Sequence, residues 1–227
     1  MNLLRIGEIE FPKPSGVIVN MMPIIAGDSK SIPAELHGYL PMLAETGPEK
    51  GETVYLTIHE SVVLPGQTQR RPGIHTDGTA IQAFGGGAWG GGAWGGRGTD
   101  PKPGEPKPKK PAKGIYMASN DGLCRVWNTE TMAVDGLGSI KQEFDVEPEI
   151  LDASVMYWIT DRTPHESLPA TKKTFRQFFR LVGSEVSVWW AQHSTANPLG
   201  VLPNCRIEHG NKFEIERTRS YKWTYYF

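Results

Sequence analysis

The chain has 227 residues, 38% of them hydrophobic and 10% aromatic, enough to bury a substantial core, and we expect one domain spanning 1–227. A formal net charge of −1 excludes the global positive field that draws proteins onto nucleic acid or anionic membranes. Two cysteines, Cys124 and Cys205, are too few for a disulfide framework. With no signal-peptide pattern and no apolar run near the roughly 20 residues of a membrane span, the expectation is a soluble, cytoplasmic protein with reduced thiols.

In chain order, the first predicted element is a short helix over 33–40 with Ser31 as its cap. The others are strands at 53–58, 114–118, 155–159, 175–182 and 186–190. Each is short, rich in β-branched and aromatic residues, and bounded by Gly, Pro, Asn or Asp. No long amphipathic helix pattern occurs. The fold class expected is therefore all-β with a few short helices, an antiparallel sandwich or barrel of jelly-roll type.

Residues 85–114 depart from this pattern. They read GGGAWGGGAWGGRGTDPKPGEPKPKKPAKG, a duplicated GGGAW unit followed by a Pro/Lys tract. Glycine removes the backbone preference and proline favours extended polyproline II, so neither half supplies a core element. The segment is expected to be an insertion loop between two strands. One reading is a solvated loop kept soluble by lysines 102, 107, 109, 110 and 113. The other is a lid whose Trp89 and Trp94 contact substrate. Lysines beside tryptophans also allow a polyanionic partner, nucleic acid included.

The stretch "RRPGIHTDG", residues 70–78, places His75 and Asp77 two positions apart. In extended chain, i and i+2 share a face, so both side chains can converge on one ion. A third ligand must come from elsewhere. His165, in "DRTPHESLP", follows one predicted strand and precedes another, at a strand end where barrel mouths place ligands. His193, with Arg206 thirteen residues later, is the rival, and His59 reads as a packed neighbour. Two histidines and a carboxylate on one face leave open positions on a ferrous ion, which suits a bidentate oxo-acid and dioxygen. Such an oxo-acid carries a distal carboxylate that needs a cation deeper in the barrel. Arg176 lies eleven positions after His165, and Arg180 shares its face by strand period. One would serve the oxo-acid while the other pairs with Glu166 or Asp161. The competing reading of His75 and Asp77 is a polar Asp-Gly turn without metal.

The set His75-x-Asp77, His165 and Arg176, across roughly residues 53–190, resembles the iron(II)/2-oxoglutarate-dependent dioxygenases. "TPHESLPATKKTFRQFFRL" is similar to their second ligand turn and the strand that anchors 2-oxoglutarate. The resemblance implies a double-stranded β-helix with Fe(II) on His75, Asp77 and His165 and 2-oxoglutarate as cosubstrate, its far carboxylate on Arg176. It also implies dioxygen and hydroxylation of a substrate, with release of succinate and CO2. Two features depart from the family. The separation of Asp77 from His165 reaches the usual range only when the insertion is set aside. Phe178 stands where the family carries Ser or Thr two residues after the arginine, so the second carboxylate contact is sought at Tyr116 or Tyr55. Asn120, in "MASNDG", is a candidate substrate contact or a turn residue. Trp127, Trp189 and Trp190 are expected in the core, or lining a mouth for an apolar or planar substrate. The substrate class stays open between a small molecule, a protein side chain and a nucleobase. The alternatives are a non-catalytic jelly roll, such as a viral coat or appendage component, and a cupin-type metal enzyme without 2-oxoglutarate.

Overall fold

The strand Thr53–Val63 (β3) shows why this core has two sides. Val54, Leu56 and Ile58 pack to one face and Tyr55 and Thr57 to the other, all five fully buried, and a strand covered on both faces reads as a near-continuous apolar run. In the computed structural model, which describes residues 2–78, 110–133 and 137–210, β3 is part of a six-stranded antiparallel sheet. Its other members are Leu3–Glu8 (β1), Ile18–Ile25 (β2), Ile115–Ser119 (β4), Val155–Ile159 (β7) and Thr174–Val182 (β9), in the order β1-β7-β4-β9-β3-β2.

The outer face of this sheet is closed by a 3-10 helix, Ala34–Tyr39, that runs directly into the short helix Leu40–Ala44 (α1). Leu36, Tyr39 and Met42 pack there against Ile24, Leu56, Phe179 and Leu181. Glu60 anchors the same region. It is 2% exposed and accepts hydrogen bonds from the backbone N–H groups of Ser15 (2.7 Å), Gly16 and Val17 (3.1 Å), from Tyr39 Oη (2.6 Å) and from Gln177 Nε2 (3.1 Å).

The inner face carries Tyr55, Ile115, Met117, Phe178 and Val182. It packs on a second, three-stranded antiparallel sheet made of Cys124–Val126 (β5), Glu149–Ile150 (β6) and His165–Ser167 (β8), in the order β6-β5-β8. Trp189 and Trp190 on Val188–Trp190 (β10) add to this core, as expected of them, and Trp127 is buried as well. From β3 onward the chain alternates between the sheets: β3 in the large one, His75 bridged to β8 in the small one, β4 large, β5 and β6 small, β7 large, β8 small, β9 large.

The all-β expectation therefore holds, with differences in detail. The sequence places no strand at β1, β2, β5, β6 or β8. β5, β6 and β8 are only two or three residues long, and β1 and β2 are interrupted by Gly7 and by Pro23 with a bulge, so pairing partners hold them extended. The 186–190 strand contracts to β10, which pairs in parallel with Arg206–Glu208 (β11). Ser31 is not a helix cap. It lies inside a separate 3-10 turn, Ser29–Ser31, capped by Asp28, while Pro33 begins the next helix with no side-chain cap. Within β2 a bulge between Val19 and Met22 puts Met21 in the left-handed region at φ 48°. Hydrogen bonds from Met21 N to Thr57 Oγ1 (3.0 Å) and from Trp189 Nε1 to Met21 O (2.7 Å) hold it there.

Trp89, Trp94 and lysines 102, 107 and 109 of the insertion lie outside the described residues. Its last residues are tied to the body: Lys110 pairs with Glu45 (2.8 Å), Lys113 pairs with Glu185 (2.9 Å), and Tyr116 Oη donates to Pro111 O. Among the described residues, no helix is long and apolar enough to cross a membrane.

Candidate metal centre

His75 and His165 are joined backbone to backbone. His75 N donates to His165 O (3.0 Å) and His165 N donates to His75 O (2.9 Å), a hydrogen-bonded antiparallel pair that sets the two side chains opposite each other on one face. Their ring centroids are 4.5 Å apart. The first ligand segment is thus a single bridge rather than the strand its spacing suggests, and it is also bridged to Ser139.

Each ring is oriented by its own backbone. His75 Nδ1 lies 2.8 Å from Gly73 O and His165 Nδ1 lies 2.9 Å from Thr163 O. Donating Nδ1–H to a carbonyl fixes the tautomer in which Nε2 carries the lone pair. Burial pushes both imidazoles below their ordinary protonation range, with the neighbouring His165 adding to the effect on His75. Neutral, pre-oriented imidazoles are the form that ligates metal. Asp77 completes the group: ligand atoms of His75, Asp77 and His165 all lie within 4.8 Å of one another, and all three side chains are buried or nearly so.

Two glycines make the ligand turn possible. A Cβ on Gly78 would stand 2.5 Å from Asp161 Oδ2, and one on Gly138 would stand 2.0 Å from Thr76 O, at a positive φ of 81°. Both are close approaches only glycine allows. The turn is then closed by Gly78 N donating to Asp161 O (2.7 Å) and Thr76 N donating to Gly138 O (2.9 Å).

The inner face of β9 carries the cations, as strand period predicts. Arg180 Nη1 is 2.9 Å from Asp77 Oδ2, with both side chains under 10% exposed. Glu166 is held instead by Arg125, so neither expected partner of Arg180 is the one it takes. Arg176 is wholly buried. Its Nε donates to Ser119 Oγ (3.0 Å), Nη1 to Ser167 Oγ (3.0 Å), and Nη2 to Leu123 O (3.2 Å) and Cys124 Sγ (3.1 Å). The pocket beside the ligand triad is lined by Arg70, Arg180, Ser167, Phe178 and Cys124, but not by Arg176, which lies behind Ser167 and Cys124.

Several expected contacts lie elsewhere. Tyr116 faces the outer side of the large sheet, so it is no cosubstrate contact. Tyr55 faces inward, and its hydroxyl donates to Cys205 Sγ at 3.3 Å. Asn120 is a turn residue stitched to β9, Nδ2 donating to Phe175 O and Oδ1 accepting from Gln177 N. His193 is not in the ligand group. It lines the same pocket with Asn20, whose Nδ2 donates to His193 O at 2.7 Å, and Arg206 is exposed and paired with Glu208. The sequence reading missed Arg70 and Ser167. Ser167 had a signal, because two positions after His165 on one strand means the same face. Arg70 had none beyond its place in "RRPGIHTDG". No family profile, curated protein or solved structure matches the chain, so function rests on this geometry.

Proposed function

We propose that the protein is an iron(II)- and 2-oxoglutarate-dependent oxygenase of jelly-roll fold that hydroxylates its substrate, with His75, Asp77 and His165 as the metal ligands. The observation that carries this reading is the convergence of two imidazoles, each with Nδ1 turned to a carbonyl, and one carboxylate within 4.8 Å. Two neutral nitrogens and one carboxylate on one side of an ion match a facial set with open positions. The alternation of strands between the sheets, with His75 bridged to His165 at the edge of the small one, supports the jelly roll.

The surroundings fit the cosubstrate as well. Arg70 and Arg180 line the pocket beside Asp77, with Arg176 behind Ser167 and Cys124, and Arg180 Nε is buried with no partner among the described residues. Guanidinium groups gathered at the pocket suit a dianionic oxo-acid. When bound, the iron with 2-oxoglutarate and dioxygen supplies the oxidation, releasing succinate and CO2. The chain's own residues do the rest. Asp77 is held in place by Arg180, and Ile115, Met117 and Ile159 line the pocket with apolar surface that limits water.

Anaerobic titration of the apo-protein with Fe(II) and then 2-oxoglutarate tests this, read by the weak visible charge-transfer band of the chelated oxo-acid. The band should form in the wild type and vanish in His75→Ala and Asp77→Ala. A second reading, a metal enzyme of cupin type without 2-oxoglutarate, draws on the engagement of Arg176 by Ser119, Ser167, Leu123 and Cys124. Iron binding without a band would favour it, and no iron binding would favour a non-catalytic protein.

A further inference from the structure

The arginine expected to hold the far carboxylate is already engaged. Arg176 spends four of its five N–H donors on protein acceptors and does not line the pocket. Phe178, where the family pattern has a hydroxyl, offers no hydrogen bond. Yet the pocket wall holds two donors that the ligand triad does not use.

The first is Arg70. It is half-buried, with its guanidinium Cζ 5.2 Å from the Phe178 ring centroid. Arg176 Cζ lies 5.8 Å from the same centroid, so both cations sit on one ring. Arg70 lines the pocket, and none of its N–H groups meets an acceptor among the described residues. Burial, reinforced by Arg180 and only partly offset by Asp77, pushes its pKa down to about 10.

The second is Ser167. It follows His165 by two positions on β8, shares its face and lines the same pocket. Its Oγ accepts from Arg176 Nη1 at 3.0 Å. A hydroxyl that accepts from a buried cation is a stronger donor, and the Ser167 proton has no acceptor among the described residues.

Resting on the oxygenase reading above, we infer that Arg70 and Ser167 together hold the far carboxylate of the oxo-acid, with Arg176 a positioning residue that orients and polarises Ser167. The anchor is thus moved off β9 onto the segment before the first ligand and the strand of the second. The ion and its cosubstrate anchor share the elements "RRPGIHTD" and "HES", which pair with each other through His75 and His165.

The test compares two probes in the Fe(II)-loaded protein under anaerobic conditions. 2-Oxoglutarate carries the far carboxylate and pyruvate lacks it. In Arg70→Met, 2-oxoglutarate affinity read from the charge-transfer band should fall about 30-fold, and in Ser167→Ala about 5-fold to 10-fold, the range of lost charge-assisted and neutral hydrogen bonds. Pyruvate and Fe(II) affinities should stay within two-fold of wild type in both. Arg70→Lys should recover part of the loss. Thermal shifts of the Zn(II)-loaded proteins with 2-oxoglutarate give a second readout independent of iron. Arg70→Met binding 2-oxoglutarate as tightly as wild type would overturn this inference alone. Iron binding with no band from either oxo-acid in the wild type would overturn the oxygenase reading and this inference with it.

Discussion

Replacing Arg180 by methionine keeps most of the side chain's bulk and removes the cation facing Asp77. The two groups are 2.9 Å apart, with side chains 9% and 8% exposed. At an effective dielectric of about 20, unit charges roughly 4 Å apart attract by about 4 kcal/mol, and orphaning one member of a buried pair costs about 3–5 kcal/mol. Protonating the carboxyl is the escape. Carrying an ordinary aspartate to pH 7 costs about 4 kcal/mol, which caps the penalty near that figure. For a chain of this size, about 2–4 °C of melting temperature accompanies each kcal/mol, so apo Arg180→Met should melt about 8–16 °C below wild type. A divalent ion at Asp77 supplies the missing positive charge, so the deficit should shrink to about 1–2 kcal/mol when both proteins carry saturating Zn(II). Urea unfolding with and without the metal measures both numbers. An equal deficit in the two states, or an apo deficit below about 1 kcal/mol, would refute the claim that Arg180 and the ion serve the same carboxylate.

Three further outcomes follow from the geometry. Gly78→Ala forces a Cβ to within 2.5 Å of Asp161 Oδ2. It should cost about 1–3 kcal/mol and weaken Zn(II) binding at least about ten-fold by displacing Asp77, with far-ultraviolet circular dichroism unchanged. Glu60→Gln removes the charge that Ser15, Gly16, Val17, Tyr39 and Gln177 all address, and should cost about 2–4 kcal/mol in denaturant unfolding. Burial alone would raise the Glu60 carboxyl, but the hydrogen bonds from Tyr39, Ser15, Gln177 and Gly16 outweigh it and hold the carboxyl below its usual range. A depressed group contributes its stability above the unfolded value near 4.3 and loses it as pH falls through the folded value. Wild type should therefore lose more stability than Glu60→Gln between about pH 5 and pH 3. Lys110→Ala with Lys113→Ala breaks two partly exposed ion pairs and should change unfolding free energy by less than about 1 kcal/mol.

Ligand chemistry was legible because it is local. His75 and Asp77 stand two positions apart, and His165 falls at a strand start, so residue type and period two nominate the triad before any contact is known. The same period correctly put Arg176 and Arg180 on one face of β9. Tyr116, proposed only to replace the missing hydroxyl contact, faces the outer side of the large sheet. Strand period says which residues share a face, and only the packing of the sheet says whether that face looks inward. β1, β2 and β8 were hidden because their extended shape comes from partners distant in sequence: β1 pairs with β7, β2 with β3, and β8 with β5 and His75.

The sequence by itself determined the β-rich class and nominated His75, Asp77 and His165 as candidate metal ligands with arginines on the following strand behind them. Tertiary structure alone decided how those cations are distributed: Arg180 to Asp77, Arg176 to Ser119, Ser167, Leu123 and Cys124, and Arg70 to the open pocket over Phe178. The physical reason is that a guanidinium's role is fixed by which acceptors lie within about 3 Å of it, and those acceptors come from strands far apart in the chain.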